Sequence, residues 1–197
     1  MRTLYLARHG EASGSLTDVG RSQALLLGER LASLPVTEVF HSPVKRAAET
    51  AALVCTALKD VPVSVSPLVG DYLPYAPSAN ELAPEFASVA LAHVADYSTQ
   101  QHEVGPGLAD RALAEFTAPV PRSDLIITHS QIVGWFVRAA LGAPASRWLG
   151  INAANAALTI IQYRRGWPAT LVTFNDQSHL PPSLRWSGFP PERRDVW

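Results

Sequence analysis

Short apolar segments alternate with longer amphipathic segments along most of this chain, and no other feature of the sequence limits the fold as strongly. Leu4 to Ala7 form an apolar run that is long enough for a buried strand and too short for a helix. Thr17 then offers a hydroxyl that can cap a helix over about residues 18–34. The alternation continues with strands predicted at residues 37–40, 61–65 and 124–128, helices at 43–58, 81–97, 107–117 and 130–141, and a closing hairpin of 156–164 and 168–174. This pattern predicts a three-layer α/β/α sandwich with a mostly parallel central sheet.

The length of the chain predicts a single domain. At 197 residues, one core can still bury most of the apolar surface. We expect this domain, with its functional site, in residues 1–175, followed by a tail in residues 176–197. The tail is rich in proline, arginine and tryptophan and carries little structural signal. It could fold over a site or join two subunits in a homodimer, and a disordered tail is slightly favoured.

Composition and charge exclude several kinds of partner. Hydrophobic residues make up 47% of the chain and charged residues 17%, as in soluble globular proteins. A net charge of −1 argues against binding along a nucleic-acid backbone. The apolar start is shorter than the core of a signal peptide, and no apolar run approaches the ~20 residues that span a bilayer. The sequence therefore predicts a cytoplasmic protein with neither a nucleic-acid nor a membrane partner.

The residues that follow three of the predicted strands have side chains that suit a phosphoryl group. In chain order these residues are Arg8 with His9, then Arg46, then His129. Because the carboxyl ends of parallel strands meet at one edge of a sheet, we expect them to lie together. Guanidinium groups donate paired hydrogen bonds to phosphate oxygens, and the helix that opens at Ser130 adds a dipole that favours an anion. An imidazole in line with the phosphorus can then act as the nucleophile.

Six segments of the chain carry a recognisable set of motifs. They read Arg-His-Gly-Glu, Leu-Thr-Asp-Val-Gly-Arg, Ser-Pro-Val-Lys-Arg-Ala-Ala-Glu-Thr, Thr-His-Ser, Asn-Ala-Ala-Leu-Thr and Phe-Asn-Asp-Gln-Ser-His, at residues 8–11, 16–21, 42–50, 128–130, 155–159 and 174–179. A single Arg-His-Gly is a weak signal, but the whole set in this order spans nearly the entire chain. On these motifs the sequence resembles the histidine phosphatase superfamily, also called the phosphoglycerate mutase-like family.

This resemblance implies a metal-independent phosphomonoester hydrolase that needs no cofactor and forms a covalent phosphohistidine on His9. The physical logic agrees, because phosphoryl transfer depends on positioning and charge stabilisation. The chain's histidines lack a cysteine or carboxylate at ligand spacing, so no metal site is predicted. The expected partner is a small-molecule phosphomonoester. The residues assigned to binding it are Arg8, Arg46, His129, Ser130, Glu11, Ser15 and His41, of which His41 suits a rim residue without a catalytic role equally well.

The proton donor for the leaving alcohol is less clearly marked. Family members usually carry a glutamate soon after the third strand, whereas this chain has Asp71 one place later. Asp71 is the predicted general acid, Glu81 is the reserve, and some small members manage without such a carboxylate. The aromatic and proline residues of the same loop would either form the upper wall of the pocket or serve in packing; they are Tyr72, Pro74, Tyr75 and Pro77.

Three functions compete for this set of residues. A phosphomutase of the family has a long segment after Arg-His-Gly that closes the site, but here only residues 11–16 separate Gly10 from Thr17. An open pocket admits water, which favours hydrolysis over the mutase reaction. A non-catalytic phospho-ligand-binding module is the third alternative, and the presence of His9 as a nucleophile argues against it.

Overall fold

The computed structural model describes residues 1–193, within which the backbone forms eight strands. They are β1 (Arg2–Arg8), β2 (Ala12–Ser13), β3 (Ser15–Leu16), β4 (Glu38–His41), β5 (Val63–Val65), β6 (Arg122–Thr128), β7 (Leu158–Tyr163) and β8 (Thr170–Asp176). Six of these strands form one sheet in the order β5-β4-β6-β1-β7-β8, and β2 pairs with β3 in a small hairpin. The first four strands of that order are parallel, while β7 is antiparallel to both of its neighbours. The predicted mostly parallel sheet is confirmed.

Five α-helices cover the two faces of this sheet in the described part of the chain. They are α1 (Asp18–Leu31), α2 (Lys45–Cys55), α3 (Pro84–Ala95), α4 (Thr99–Thr117) and α5 (Ser130–Ala140). Helix α1 begins where the sequence predicts, because the Thr17 hydroxyl accepts a hydrogen bond from the Gly20 amide. Side chains of α1 and α2 join one apolar cluster, and side chains of α3, α4 and α5 join another. The fold is therefore the predicted three-layer α/β/α sandwich.

Strand β1 lies in the middle of the sheet and packs against both helical layers. Its alternate side chains point to opposite faces, so Leu4 and Leu6 belong to the cluster under α4 and α5. Tyr5 and Ala7 belong to the cluster under α1 and α2. The two leucines are fully buried, which contributes about 1.5–3 kcal/mol for each side chain. This burial holds the residues that follow β1 at a fixed place on the sheet edge.

A buried ion pair at the opposite end of the sheet fixes the register of β1 against β6. Arg2 on β1 donates to the Asp124 carboxylate on β6, with a closest distance of 2.6 Å. Asp124 also accepts a hydrogen bond from Arg122, so this buried carboxylate has several partners. The same register pairs Arg8 with Thr128. The residues after these two, His9 and His129, are thereby brought side by side.

Several elements differ from those predicted. Helix α2 begins at Lys45 instead of residue 43, because the Ser42 hydroxyl accepts from the Val44 amide in a turn before the helix. Helix α4 begins at Thr99, eight residues earlier than predicted, and the β2–β3 hairpin was not foreseen.

The tail is packed where the structure describes it, so the slight preference for a disordered tail is wrong over that stretch. Leu180 is buried in the domain, and Ser187 is buried beside Gln23 and Asn155. These contacts hold the segment that follows β8 against the same edge of the sheet as His9. Residues 194–197 of the predicted tail lie outside the described residues.

Candidate active site

The site forms where β1 and β6 end side by side. The backbone amide of His9 donates to the carbonyl of Thr128 at 2.9 Å, which extends the pairing of the two strands by one residue. The rings of His9 and His129 meet edge to face, with centroids 5.2 Å apart. Both histidines are buried. The two motif histidines, 120 positions apart in sequence, are therefore neighbours because of the strand register.

Hydrogen bonds fix the ring and backbone of His9. Its Nδ1 lies 2.7 Å from the Gly10 carbonyl oxygen, so Nδ1 carries the proton and Nε2 keeps its lone pair. Arg46 Nε donates to that lone pair at 3.0 Å. The Asn155 side-chain amide donates to the carbonyl of His9, and the Gly10 amide donates to the Thr50 hydroxyl. His9 is thus held with one nitrogen ready to attack.

The surroundings keep both histidines uncharged. Burial and the neighbouring His129 ring lower the pKa of His9 to about 3, and the opposing effect of the Gly10 carbonyl is smaller. Burial lowers the pKa of His129 to about 3 as well, with help from the charges of Arg46 and Arg8. A neutral imidazole is the form that can act as a nucleophile, so His9 is in its reactive form at neutral pH.

Two arginines supply the positive charge of the site. Arg8 is anchored by backbone carbonyls, because its Nη1 donates to Ala153 at 2.8 Å and to Gly188 at 3.3 Å. Burial and the nearby Arg46 lower the pKa of Arg8 to about 10, so it remains charged at neutral pH. Arg46 stands in the first turn of α2 and forms an ion pair with Asp71. These guanidinium groups come from separate elements and face the same small space.

The other side of this space is formed by Asp71 and the start of α5. Asp71 accepts hydrogen bonds from Arg46 and from the Gln131 side-chain amide, and one of its oxygens lies 3.7 Å from His129 Nδ1. His129 Nε2 is hydrogen-bonded to the Ser42 hydroxyl at 2.9 Å. The resulting cavity has a volume of about 290 Å³. Its lining residues are Arg8, His9, Ala12, Gly14, Arg46, Asp71, His129, Ser130 and Gln131.

Four of the residues proposed from the sequence do not line this cavity. The Glu11 carboxylate accepts from the Thr17 hydroxyl and so supports the start of α1. Ser15 lies on β3, beyond the turn of the hairpin, and His41 Nδ1 is bound to the carbonyl of Ser42. Glu81 caps the turn that starts at Ser78 and accepts from the hydroxyl of Tyr75. None of the four is among the residues that line the cavity in this structure, and their assignments to substrate or acid roles stay predictions.

The aromatic loop after β5 packs into the protein and does not wall the pocket. The Tyr72 hydroxyl donates to the carbonyl of Leu68, and the ring is buried. Tyr75 stacks on Trp135 with centroids 6.5 Å apart. The packing interpretation of this loop is the one that the structure supports.

Sequence reasoning missed three contributors to the site. Gln131 follows the Thr-His-Ser motif and orients Asp71, and its place in the first turn of α5 was the available signal. Ala12 and Gly14 line the cavity only because residues 11–16 turn back as a hairpin. Strands of two residues, such as β2 and β3, are too short to be recognised from hydrophobic periodicity.

The described residues contain no group of three or more histidine, cysteine or acidic side chains that could hold a metal ion. In the same part of the chain, every helix is too short or too polar to span a membrane.

The fold and the cavity define an α/β protein in which two histidines and two arginines are arranged around the space for one phosphoryl group. The chain belongs to the histidine phosphatase superfamily (branch 1), whose family model matches residues 4–177.

Individual relatives agree with this membership. The serine/threonine-protein phosphatase Pgam5 of Caenorhabditis elegans, named as mitochondrial, is 30% identical over 92% of this chain and 65% of its own length. The chain thus spans somewhat less than two thirds of the length of this relative. YhfR of Bacillus stearothermophilus has a TM-score of 0.70 at 22% identity, over 92% of this chain and 100% of that structure. The alpha-ribazole phosphatase of Shigella flexneri has a TM-score of 0.68 at 22% identity, over 88% and 96%.

Proposed function

We propose that the protein is a metal-independent phosphomonoester hydrolase that acts through a phosphohistidine on His9. The observation that carries this proposal is the state of the His9 ring. Its Nδ1 is held by the Gly10 carbonyl, its Nε2 lone pair faces the cavity beside Arg46, and its pKa is lowered to about 3. A positioned, neutral imidazole next to two guanidinium groups suits attack on a phosphorus that carries negative charge.

The first half-reaction transfers the phosphoryl group to the protein. A phosphate oxygen takes the hydrogen bond that Arg46 Nε gives to His9, which frees the lone pair of Nε2. Nε2 then forms a bond to phosphorus as the bond between phosphorus and the alcohol oxygen breaks. Arg8 and Arg46 bind the phosphoryl oxygens, and the N-terminus of α5 adds its dipole.

Asp71 is the proposed proton donor for the leaving alcohol. The substrate binds as the monoanion, and its phosphate replaces the Asp71 carboxylate as the partner of Arg46. The phosphate proton passes to Asp71, which Gln131 still holds beside the cavity. The alcohol oxygen takes the proton of the Asp71 carboxyl group and departs as a neutral alcohol. Water then attacks the phosphohistidine and returns a proton to Asp71. The bond between phosphorus and Nε2 breaks, and His9 is neutral again. Phosphate takes the proton from Asp71 and leaves as the monoanion, so the Asp71 carboxylate can pair with Arg46 once more.

The short β2–β3 hairpin supports hydrolysis over the mutase reaction. It is the whole of the segment between the Arg-His-Gly turn and α1, and its Ala12 and Gly14 border the cavity with small residues. Small residues leave room for water to reach the phosphohistidine.

The defining experiment is hydrolysis of an aryl phosphate by the wild-type protein and His9→Ala. Wild type should turn over, accumulate an acid-labile phosphoprotein on rapid quench, keep its activity in a chelator and be inhibited by vanadate. His9→Ala should lose turnover and labelling, because no other residue replaces the nucleophile. His102→Ala, which changes a histidine on α4 away from the cavity, is the control and should retain both. An active His9→Ala would contradict the proposal, and faster transfer of the phosphoryl group to phosphoglycerate than to water would favour the mutase.

We infer a small phosphorylated metabolite as the substrate. The cavity, at about 290 Å³, is near the lower end of the usual range for small-molecule sites, and the structural relatives include the alpha-ribazole phosphatase. The curated relatives are named protein phosphatases, so phosphopeptides belong in the same substrate panel. The cytoplasmic location and the homodimer stay predictions, which cell fractionation and light scattering test.

A further inference from the structure

A second and larger cavity opens directly from the phosphoryl site. It has a volume of about 580 Å³, which falls within the usual range for small-molecule sites. The two cavities share Arg8, Ser130 and Gln131 as lining residues. We call the larger cavity the α3 groove, because helix α3 forms one of its walls. An ester whose phosphate is bound at His9 would have its alcohol portion beside this groove.

One face of α3 is turned to the groove. The residues that line it are spaced as neighbours on one side of a helix, and the same face continues just past the helix end; they are Phe86, Val89, Ala90, His93 and Tyr97. Val89 is 64% exposed and Phe86 38% exposed, although both are apolar. This exposed apolar face lies next to the candidate active site. Exposed apolar surface in such a position is typical of a ligand-binding site.

The opposite walls are also apolar. Trp148 and Leu149 follow α5 and are buried at the base, and His93 packs against the Trp148 ring with centroids 6.3 Å apart. Phe189 and Pro190 of the tail also line the groove. A ring or an alkyl chain in the groove would therefore meet apolar surface on more than one side.

The scarcity of charged side chains around the groove disfavours a second anionic group on the substrate. Arg8 is the one lysine, arginine or acidic residue among the described residues that line it, and Arg8 already serves the phosphoryl site. A carboxylate in the groove would lose part of its hydration, and the imidazole of His93 is the one side chain besides Arg8 among the described lining residues that could carry a positive charge. The remaining polar groups are neutral donors and acceptors, such as the Asn152 amide and the Tyr97 hydroxyl.

We propose that the α3 groove binds the alcohol portion of the substrate, and that this portion is uncharged and mainly apolar, with a ring or a chain of several carbons. The proposal rests on the hydrolase activity proposed above and deepens it. It also favours a small molecule over a phosphopeptide, because the mainly apolar lining offers few hydrogen-bond partners to the polar backbone of a peptide.

The proposal is tested with esters of primary alkanols, whose leaving groups have similar reactivity. The substrates are ethyl phosphate, 3-phenylpropyl phosphate and 5-carboxypentyl phosphate, compared by kcat/KM. Each buried methylene is worth about a fourfold gain, so 3-phenylpropyl phosphate should exceed ethyl phosphate by at least about tenfold. It should exceed the carboxylate ester by a similar factor.

The outcomes separate the two proposals. If none of these esters nor an aryl phosphate is hydrolysed, the hydrolase proposal fails and the groove proposal with it. If the alkyl esters are hydrolysed with equal kcat/KM, only the groove proposal is overturned. Preference for the carboxylate ester, or for a phosphoserine peptide over 3-phenylpropyl phosphate, would also overturn it.

A matched pair of variants tests whether the preference for 3-phenylpropyl phosphate arises from α3. Val89→Asp places a charge in the groove, whereas Val104→Asp places one on an exposed position of α4 that does not line it. Val89→Asp should lower the ratio of kcat/KM for 3-phenylpropyl to ethyl phosphate by about tenfold, mainly through KM. Val104→Asp should keep the wild-type ratio. An unchanged ratio in folded Val89→Asp, verified by circular dichroism, would overturn the assignment.

Discussion

At the scale of single residues, the site depends on two buried histidines that stay uncharged. Each has a neighbour for both ring nitrogens, so neither ring can turn freely. Their low pKa lowers the stability of the folded state in acid. In the unfolded chain these histidines can bind protons, whereas in the folded chain they stay neutral.

This difference in proton binding predicts a loss of stability in mild acid. The pKa of His9 and of His129 is about 3 in the folded protein, against an ordinary value of 6.5. Between these values the unfolded state binds more protons, so the free energy of unfolding falls as the pH is lowered. From pH 6.5 to 5 the loss is about 2 kcal/mol for each histidine. Urea denaturation at both pH values should show it, and His9→Asn should lose about 2 kcal/mol less than wild type. Equal losses would contradict the burial argument.

The role of Asp71 makes a second prediction at this scale. Asp71→Asn keeps the shape of the side chain but removes the proton, so kcat for an alkyl phosphate should fall about 100-fold or more. An aryl phosphate with a good leaving group should lose much less, because its alcohol needs no proton. Glu81→Gln is the matched control, since Glu81 lies at the Ser78 turn outside the cavity. An equal effect on both esters would assign Asp71 a purely structural role.

At the scale of elements, local sequence signals predicted most strands and helices but placed the start of α4 eight residues too late. The sequence Gly105-Pro106-Gly107 resembles a break, yet all three residues lie inside the helix. The helix begins earlier because Ser98 and Gln101 form a capping box. Gly105 is there because α4 passes directly over the carbonyl of Leu73. That approach is a tertiary contact, which no local pattern reports.

The same contact predicts opposite effects for two neighbouring glycines. A Cβ on Gly105 would collide with the backbone of Leu73, so Gly105→Ala should destabilise the protein by about 1–3 kcal/mol. A Cβ on Gly107 meets no atom within 4 Å, so Gly107→Ala should stabilise the helix by up to about 1 kcal/mol. Denaturant unfolding measures both. A stable Gly105→Ala would show that α4 can move away from the loop below it.

At the scale of the whole molecule, the site is assembled from both ends of the described chain. Four residues of the site could be predicted, because each stands at the end of a strand or the start of the next helix and the strand order brings these positions together. They are Arg8, His9, Arg46 and His129. The contribution of the tail to the site could not be predicted, because its proline-rich sequence has no hydrophobic periodicity. In the structure, Gly188 contacts Arg8, and Ser187 contacts Asn155, which in turn binds the His9 carbonyl.

This arrangement predicts that a small change in the tail affects catalysis. Gly188 has a φ of +87°, and a Cβ there would collide with the guanidinium of Arg8. Gly188→Ala should therefore lower kcat/KM by about tenfold or more, since misplacing a phosphate-binding group by about 1 Å is costly. Gly166 has a similar φ of +75° but open space around it. Gly166→Ala should cost about 1–2 kcal/mol of stability and leave kcat/KM intact. Equal activity of the two variants would mean that the tail does not position Arg8.

The central place of β1 in the sheet also determines when a newly made chain can become active. The ribosome makes β1 before the other strands of this domain, but β1 pairs with β6 and β7, which begin only at Arg122 and Leu158. At ordinary rates of synthesis, the apolar strand waits roughly ten seconds for these partners. Such distant pairing is slow to form, and the waiting strand is a natural binding segment for chaperones. Within this domain, the nucleophile is thus among the first residues synthesised and among the last to reach its working position.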